Sequence, residues 1–424
     1  MAVLILLYIV VCCLSLFYVM QQFYHHLAYD PGRLLSAVVV MAAVAPVLLL
    51  FTFAEFSFGY FLGFYFSSMV VGYLWLSFFS NLQYDRQLAG LSAAVSLIGF
   101  LLPALFVSAP FRQMRAMSLR VFDRLLIGIF LVCLVMVAIG AGYNFRFVSP
   151  GDASNLRGNS LPTLLVYFNG VATSSLLPFL FACFVARHHS WRAGAALVLL
   201  FLYYPVSTSK VALFAPAWLV LMLVFSRSFG ARIAVVLSLL LPALAGVILF
   251  FLYRNGVLPS QVVLPYFLNV NLRVVAIPSI ALDIYNAFFS SHPLTYFCQI
   301  RVLKSAMDCP YQDQLSIVMA NNYPFGGNLN ASLFATEGIA SLGPWLAPIS
   351  VLAGGLIIAL ANRLSACLPP WFVLVSGAIL VQVMLNIPLS TALLSHGAGF
   401  LFFLWYITPR SMFEPGASST CALR

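Results

Sequence analysis

Residues 233–253 read IAVVLSLLLPALAGVILFFLY, twenty-one residues without a charged side chain, closed off by Arg232 before and Arg254 after. Coiled as a helix at 1.5 Å per residue, such a run is about 30 Å long, the thickness of a bilayer's hydrocarbon core. No water is available there, so the backbone must pair within the segment, and a helix does so. Working outward, similar runs stand near 2–22, 34–53, 57–80, 88–110, 125–143, 163–185, 193–206 and 211–226 on the N-terminal side. On the C-terminal side they stand near 345–362, 371–388 and 391–408. The expected fold class is therefore an all-α polytopic integral membrane protein of about twelve transmembrane helices. Composition agrees: 63% of the 424 residues are hydrophobic and only 7% charged, against about 25% charged in an ordinary soluble domain. The first run is longer than the apolar region of a signal peptide and lacks a basic leader, so it is expected to stay as a helix.

This reading divides the chain into nine helices over 1–253, a large partly helical loop over 254–344, three more helices over 345–410 and a polar tail over 411–424. The stretch 270–290, VNLRVVAIPSIALDIYNAFFS, reads as an amphipathic helix at the outer membrane face, broken or kinked by Pro278. The runs 193–206 and 211–226 are short for a span, which would recess Lys210 in the link YYPVSTSK below the outer surface.

The chain carries 20 basic and 10 acidic residues, a formal charge of +10, and Lys210 and Lys304 are its only lysines. Arginine in short loops prefers the cytoplasm. With the loop holding Arg112, Arg115, Arg120 and Arg124 set inside, alternation also puts Arg187, Arg192, Arg227, Arg232, Arg363 and Arg410 inside, with both termini. Residues 144–162 and 254–344 then lie outside.

No phosphate-binding glycine loop, zinc-protease motif, CxxC or nucleophile elbow stands where a known mechanism could use it. No DxD-like pair marks a nucleotide-sugar and metal site, and Glu55 reads as an interfacial acid. Cys12, Cys13, Cys133 and Cys183 read as small apolar residues, whereas Cys298 and Cys309 fall in the outer stretch, where an oxidising compartment permits a disulfide. No cofactor, metal or nucleic-acid partner is expected.

What stands out is a set of outer cations, Arg146, Arg157, Lys210, Arg254, Arg273, Arg301 and Lys304, interleaved with tyrosines that include Tyr285 and Tyr296. A guanidinium forks onto phosphate oxygens, and aromatic faces suit sugar rings. Lys210, Arg254, Arg273 and Arg301 abut expected helix ends or amphipathic surface and are the candidates for holding a diphosphate. Asp283, His292 and Glu337 are the candidates for a general base.

The order STSK at a short helix pair, then Arg273 with Pro278, Tyr285 and FFSSHPLTYF, then GNLNASLFATEGIASLG before the next span, resembles the bacterial oligosaccharide repeat-unit polymerases of the Wzy-dependent type. The likeness is best over about 160–362. It implies a metal-independent membrane glycosyltransferase at the periplasmic face of the inner membrane, which transfers a growing glycan from undecaprenyl diphosphate to the terminal sugar of a new lipid-linked unit. It also implies lipid-linked donor and acceptor, a bilayer and a chain-length regulator protein as partners, with Tyr285, Tyr296 and Asn330 as sugar or lipid contacts. An O-antigen ligase and a flippase for lipid-linked oligosaccharide are the competing expectations.

Overall fold

The computed structural model describes residues 1–22, 26–111, 113, 117–148, 161–304, 306–323 and 329–413. Arg112, Arg115, Arg157 and all but the first three residues of the expected tail lie outside these.

Helices α1 (Ala2–Gln22), α2 (Pro31–Phe53), α3 (Phe58–Leu76), α4 (Arg86–Phe106) and α5 (Leu119–Tyr143) follow one another. Then come α6 (Thr163–Ala186), α7 (Ser190–Ser207), α8 (Lys210–Phe229) and α9 (Ala231–Arg254). Next are α10 (Ser260–Phe289), the short α11 (Leu315–Asn322), α12 (Phe334–Ser365), α13 (Pro370–Met384), α14 (Leu389–Ser395) and α15 (Ala398–Ile407). Among the described residues ten helices are long and apolar enough to cross a membrane, eleven if the bent pair α14–α15 is one span. The chain is thus a polytopic helical membrane protein.

Hydropathy located most of these helices, with three corrections. Helices α7 and α8 are 18 and 20 residues long, about 27 and 30 Å, because each runs on into polar residues that terminate the apolar stretch. The length argument for a recessed Lys210 therefore falls away; Lys210 is the half-buried first residue of α8. Helix α13 has only 15 residues. The third correction is α10: the stretch read as an amphipathic helix on the surface is packed into the bundle, and every residue from Pro278 to Phe289 is buried.

Pro278 does not break α10. Residues Leu268–Ala276 form a wide π-type turn that ends just before it. A proline in a helix lacks its N–H and crowds the carbonyl four residues earlier; widening the preceding turn relieves both. The same device recurs at Ala172–Leu176 before Pro178 and at Phe334–Ala340 ahead of Pro344. In α12 the turn is followed by Gly343 at φ +71°, where the helix changes direction.

Helix α12 packs on α4 at close range. A Cβ at Gly355 would lie 2.7 Å from the Phe100 carbonyl oxygen, so the absence of a side chain sets this approach, as small residues do between membrane helices. Helix α3 sits in the middle, wholly buried.

The two ends of the bundle differ in charge. One gathers arginines: Arg232 donates to the Phe51 and Thr52 carbonyls, Arg187 pairs with Asp123 at 2.9 Å, Arg227 lies over Trp371, and Arg363 donates to Ala109 at 3.0 Å. Arg410 reaches the Leu364 carbonyl at 3.4 Å. The opposite end carries the α3–α4 loop, the end of α1 and the last turns of α10.

Candidate active site

The opposite end is organised around Asp283, a carboxylate only 2% exposed. Its Oδ2 accepts from the Ser80 hydroxyl at 2.7 Å and its Oδ1 from the Tyr84 hydroxyl. Both donors belong to the α3–α4 loop, which is shaped by polar contacts of its own. Arg86 Nη2 donates to the Ser80 and Leu82 carbonyls at 2.7 and 3.0 Å, and Ser80 Oγ also accepts from Leu82 N at 3.1 Å. Asp85 caps α4 by accepting from Leu88 N at 3.0 Å. A short antiparallel bridge, Leu27 to Ser80, ties the loop to the end of the α1–α2 connection and brings His26 in.

A chain of donors ends on the carboxylate. Asn286 Nδ2 donates to the Tyr73 hydroxyl at 3.2 Å, Tyr73 to Tyr84 at 3.4 Å, and Tyr84 to Asp283. Burial, and after it the neighbouring Tyr73 and Asp283, hold the Tyr84 phenol well above the ordinary phenol range, so it keeps its proton and donates. Arg86 and His26 both act electrostatically on Asp283. Arg86 Nε is buried and has no hydrogen-bond partner among the described residues. A buried donor without an acceptor is uncommon and calls for an explanation; a bound anion would supply the missing acceptor. Tyr323, following α11, meets the His26 ring edge-on at 6.2 Å.

Glu337 stands in the wide turn of α12, also buried, and is fully committed. Its Oε1 accepts from the backbone N–H and hydroxyl of Ser390 at 2.9 and 2.8 Å, and its Oε2 from Thr336 at 2.6 Å. It fastens α12 to the first turn of α14. Tyr285, two residues from Asp283 on α10, is buried.

The remaining sequence candidates do not join this cluster. His292 is exposed, its ring stacked on Phe288 at 4.0 Å and its Nδ1 donating to the Phe288 carbonyl at 2.9 Å. That geometry fits a structural ring closing α10. Tyr296 is 60% exposed with φ +47°, and Asn330 is exposed on the approach to α12. The four cations expected to share one diphosphate stand on four elements. Lys210 opens α8, Arg254 closes α9 and donates to Gln21, Arg273 is exposed within the wide turn of α10, and Arg301 begins a four-residue helical turn. Lys304, in the same turn, donates to the Gln312 carbonyl at 2.9 Å.

Sequence reading found Asp283 but missed Ser80, Tyr84, Arg86 and His26. The only local signal was the polar run SNLQYDR at 80–86 between two apolar helices. Cys298 and Cys309 form a disulfide in the segment after α10, while Cys12, Cys133 and Cys183 are buried free thiols and Cys13 is half-buried. Comparison with protein-family models, curated proteins and solved structures finds no match.

Proposed function

We propose that the protein is a membrane glycosyltransferase that polymerises oligosaccharide repeat units carried on undecaprenyl diphosphate. One observation carries the reading: a buried carboxylate, Asp283, beside Arg86, whose buried Nε lacks an acceptor, and His26. Glycosyl transfer from a lipid diphosphate needs these two functions together. The acceptor hydroxyl oxygen bonds to the anomeric carbon as the bond from that carbon to the phosphate oxygen breaks. Asp283 takes the hydroxyl proton, and the diphosphate leaves with the bonding electrons. Fixed cations stabilise the charge that develops on it without a metal. Arg86 fills that role in this reading, with His26 as a hydrogen-bond donor, and Lys210 and Arg254 draw the anionic carrier to the same end of the bundle.

The proposed setting is the bacterial inner membrane, with the Asp283 end periplasmic and both termini cytoplasmic. One feature supports it. The arginine-gathering end fits the cytoplasmic side, because arginine in short loops is retained there.

The test is glycan chain length in cells carrying Asp283→Asn at matched membrane abundance. Asparagine fills the same space and cannot take a proton, so activity should fall by about 10²- to 10⁴-fold and glycans should stop at one repeat unit. Normal-length polymer in that strain would end the assignment of Asp283. Cells without the protein separate the alternatives: lipid A core capped by one repeat marks a polymerase, uncapped core a ligase, and carrier accumulating on the cytoplasmic face a flippase.

A further inference from the structure

Away from the Asp283 end, the outer flank of α5 holds a cavity of about 560 Å³ against α6, lined by Val121, Arg124, Leu125, Gly128, Ile129, Val132 and Leu176. We propose that it binds one anionic glycerophospholipid, with an acyl chain lying in the groove and the headgroup phosphate on Arg124.

Four observations lead there. First, the wall is apolar with Arg124 as the one charged residue that lines it, and α5 is among the most exposed of the apolar helices, with 22% of its most apolar window buried. The medium at that surface is therefore hydrocarbon. Second, the stripe from Val121 to Val132 is about 17 Å long, slightly more than half of a ~30 Å hydrocarbon core. That is the depth occupied by the chains of one leaflet. Third, the cation stands at the correct end of the stripe. Arg124 lies near the start of α5, at the arginine-gathering end of the bundle, with Arg120 one turn before it. Neither has a hydrogen-bonding or ionic partner among the described residues, and both are exposed. The adjacent carboxylate does not compete, because Asp123 is paired with Arg187 at 2.9 Å.

Fourth, Gly128 makes the groove. A Cβ built there meets no atom within 4 Å, so the missing side chain serves no helix–helix contact; it leaves room. Arginine at the mouth of this groove suits a phosphodiester, which it can grip with two parallel N–H donors, and the anionic lipids of a leaflet attract basic residues at its surface.

Purified full-length protein in phosphatidylcholine nanodiscs, doped with phosphatidylglycerol carrying a photoactivatable acyl chain, tests this. Crosslinks should map to residues 121–132. Arg124→Ala should reduce them about fivefold, as expected from losing one cation at an anionic surface. Gly128→Phe should abolish them by filling the groove, and Arg192→Ala, whose guanidinium lies over Trp191 at the same end, should leave them unchanged. Equal crosslinking by a photoactivatable phosphatidylcholine would mean that the groove takes hydrocarbon without reading charge, and would overturn the proposal. So would wild-type crosslinking in Arg124→Ala. Arg124 is exposed and without a hydrogen-bonding or ionic partner among the described residues, so its truncation leaves the fold intact and keeps that arm decisive even where Gly128→Phe is poorly tolerated.

Discussion

Tyr84 shows how strongly a single side chain can be committed at the Asp283 end. Its hydroxyl donates to the carboxylate and accepts from Tyr73, so Tyr84→Phe strips one oxygen of a buried anion of its donor and leaves Tyr73 without an acceptor. A hydrogen bond to a charged group is worth about 1.5 to 3 kcal/mol. Thermal unfolding in detergent should register a loss of that order, whereas Tyr29→Phe, whose ring packs on Phe17 and Phe79, should unfold like the parent. Equal midpoints for both variants would show that the Tyr84–Asp283 contact contributes nothing. At this scale the sequence was half legible. Asp283 and Glu337 could be picked out because an acid among apolar residues is costly and must have a reason to be there. Their partners could not, because Ser80 and Tyr84 lie about 200 residues from Asp283, and Ser390 lies 53 residues from Glu337. His292 was singled out by its aromatic setting, and that setting is what claims it: the ring is stacked on Phe288.

Among the elements, α10 is the one that hydropathy placed outside the bundle, and the cause is specific. Its polar residues lower the apolar signal, yet they are the ones paired inside the bundle. Asn271 donates to Ser15 Oγ and to the Ala243 carbonyl, each at 2.9 Å, Asn286 donates to Tyr73, and Asp283 accepts from two hydroxyls. A residue that looks like a reason to leave the membrane becomes affordable once a neighbour supplies its partner. The wide turns were equally hidden, although the prolines beside them were in plain view; a proline announces a disturbance without saying whether the helix will break or widen. Gly343 makes the element-scale prediction. Its φ of +71° with ψ of 171° costs a residue with a Cβ about 1 to 3 kcal/mol, and the nearest atom to a Cβ there, Leu294 Cδ1 at 3.4 Å, leaves room for a methyl. Gly343→Ala should therefore lower the thermal midpoint through backbone strain alone, and Gly343→Asn should lower it as well, because this conformation is open essentially to glycine only. An alanine variant as stable as the parent would show that the turn at the head of α12 is unstrained.

For the molecule as a whole, charge gives a polarity. The arginines collect at one end, and the Asp283 cluster lies at the other. Cysteine replacements at Asn255 and Asn322, both exposed, should react with an impermeant thiol reagent in spheroplasts, and a cysteine at Ser228 should react only in inverted vesicles. The reverse pattern would turn the protein over in the membrane and move Asp283 to the cytoplasm. Helix α3 carries a consequence that belongs to time and not to place. Its mean hydropathy of 1.2 is the lowest among the ten candidate spans, and it is the one whose window is 100% buried. In the finished protein it touches no lipid, but a chain made from the N-terminus releases α3 long before α10, α12 and α13 exist to surround it. During synthesis Tyr60, Tyr65, Ser67, Ser68 and Tyr73 must face lipid or the insertion machinery on the strength of their apolar neighbours alone. Fused by itself to an insertion reporter, α3 should enter the membrane less completely than α2 or α9, and its yield should rise when α4 is synthesised behind it.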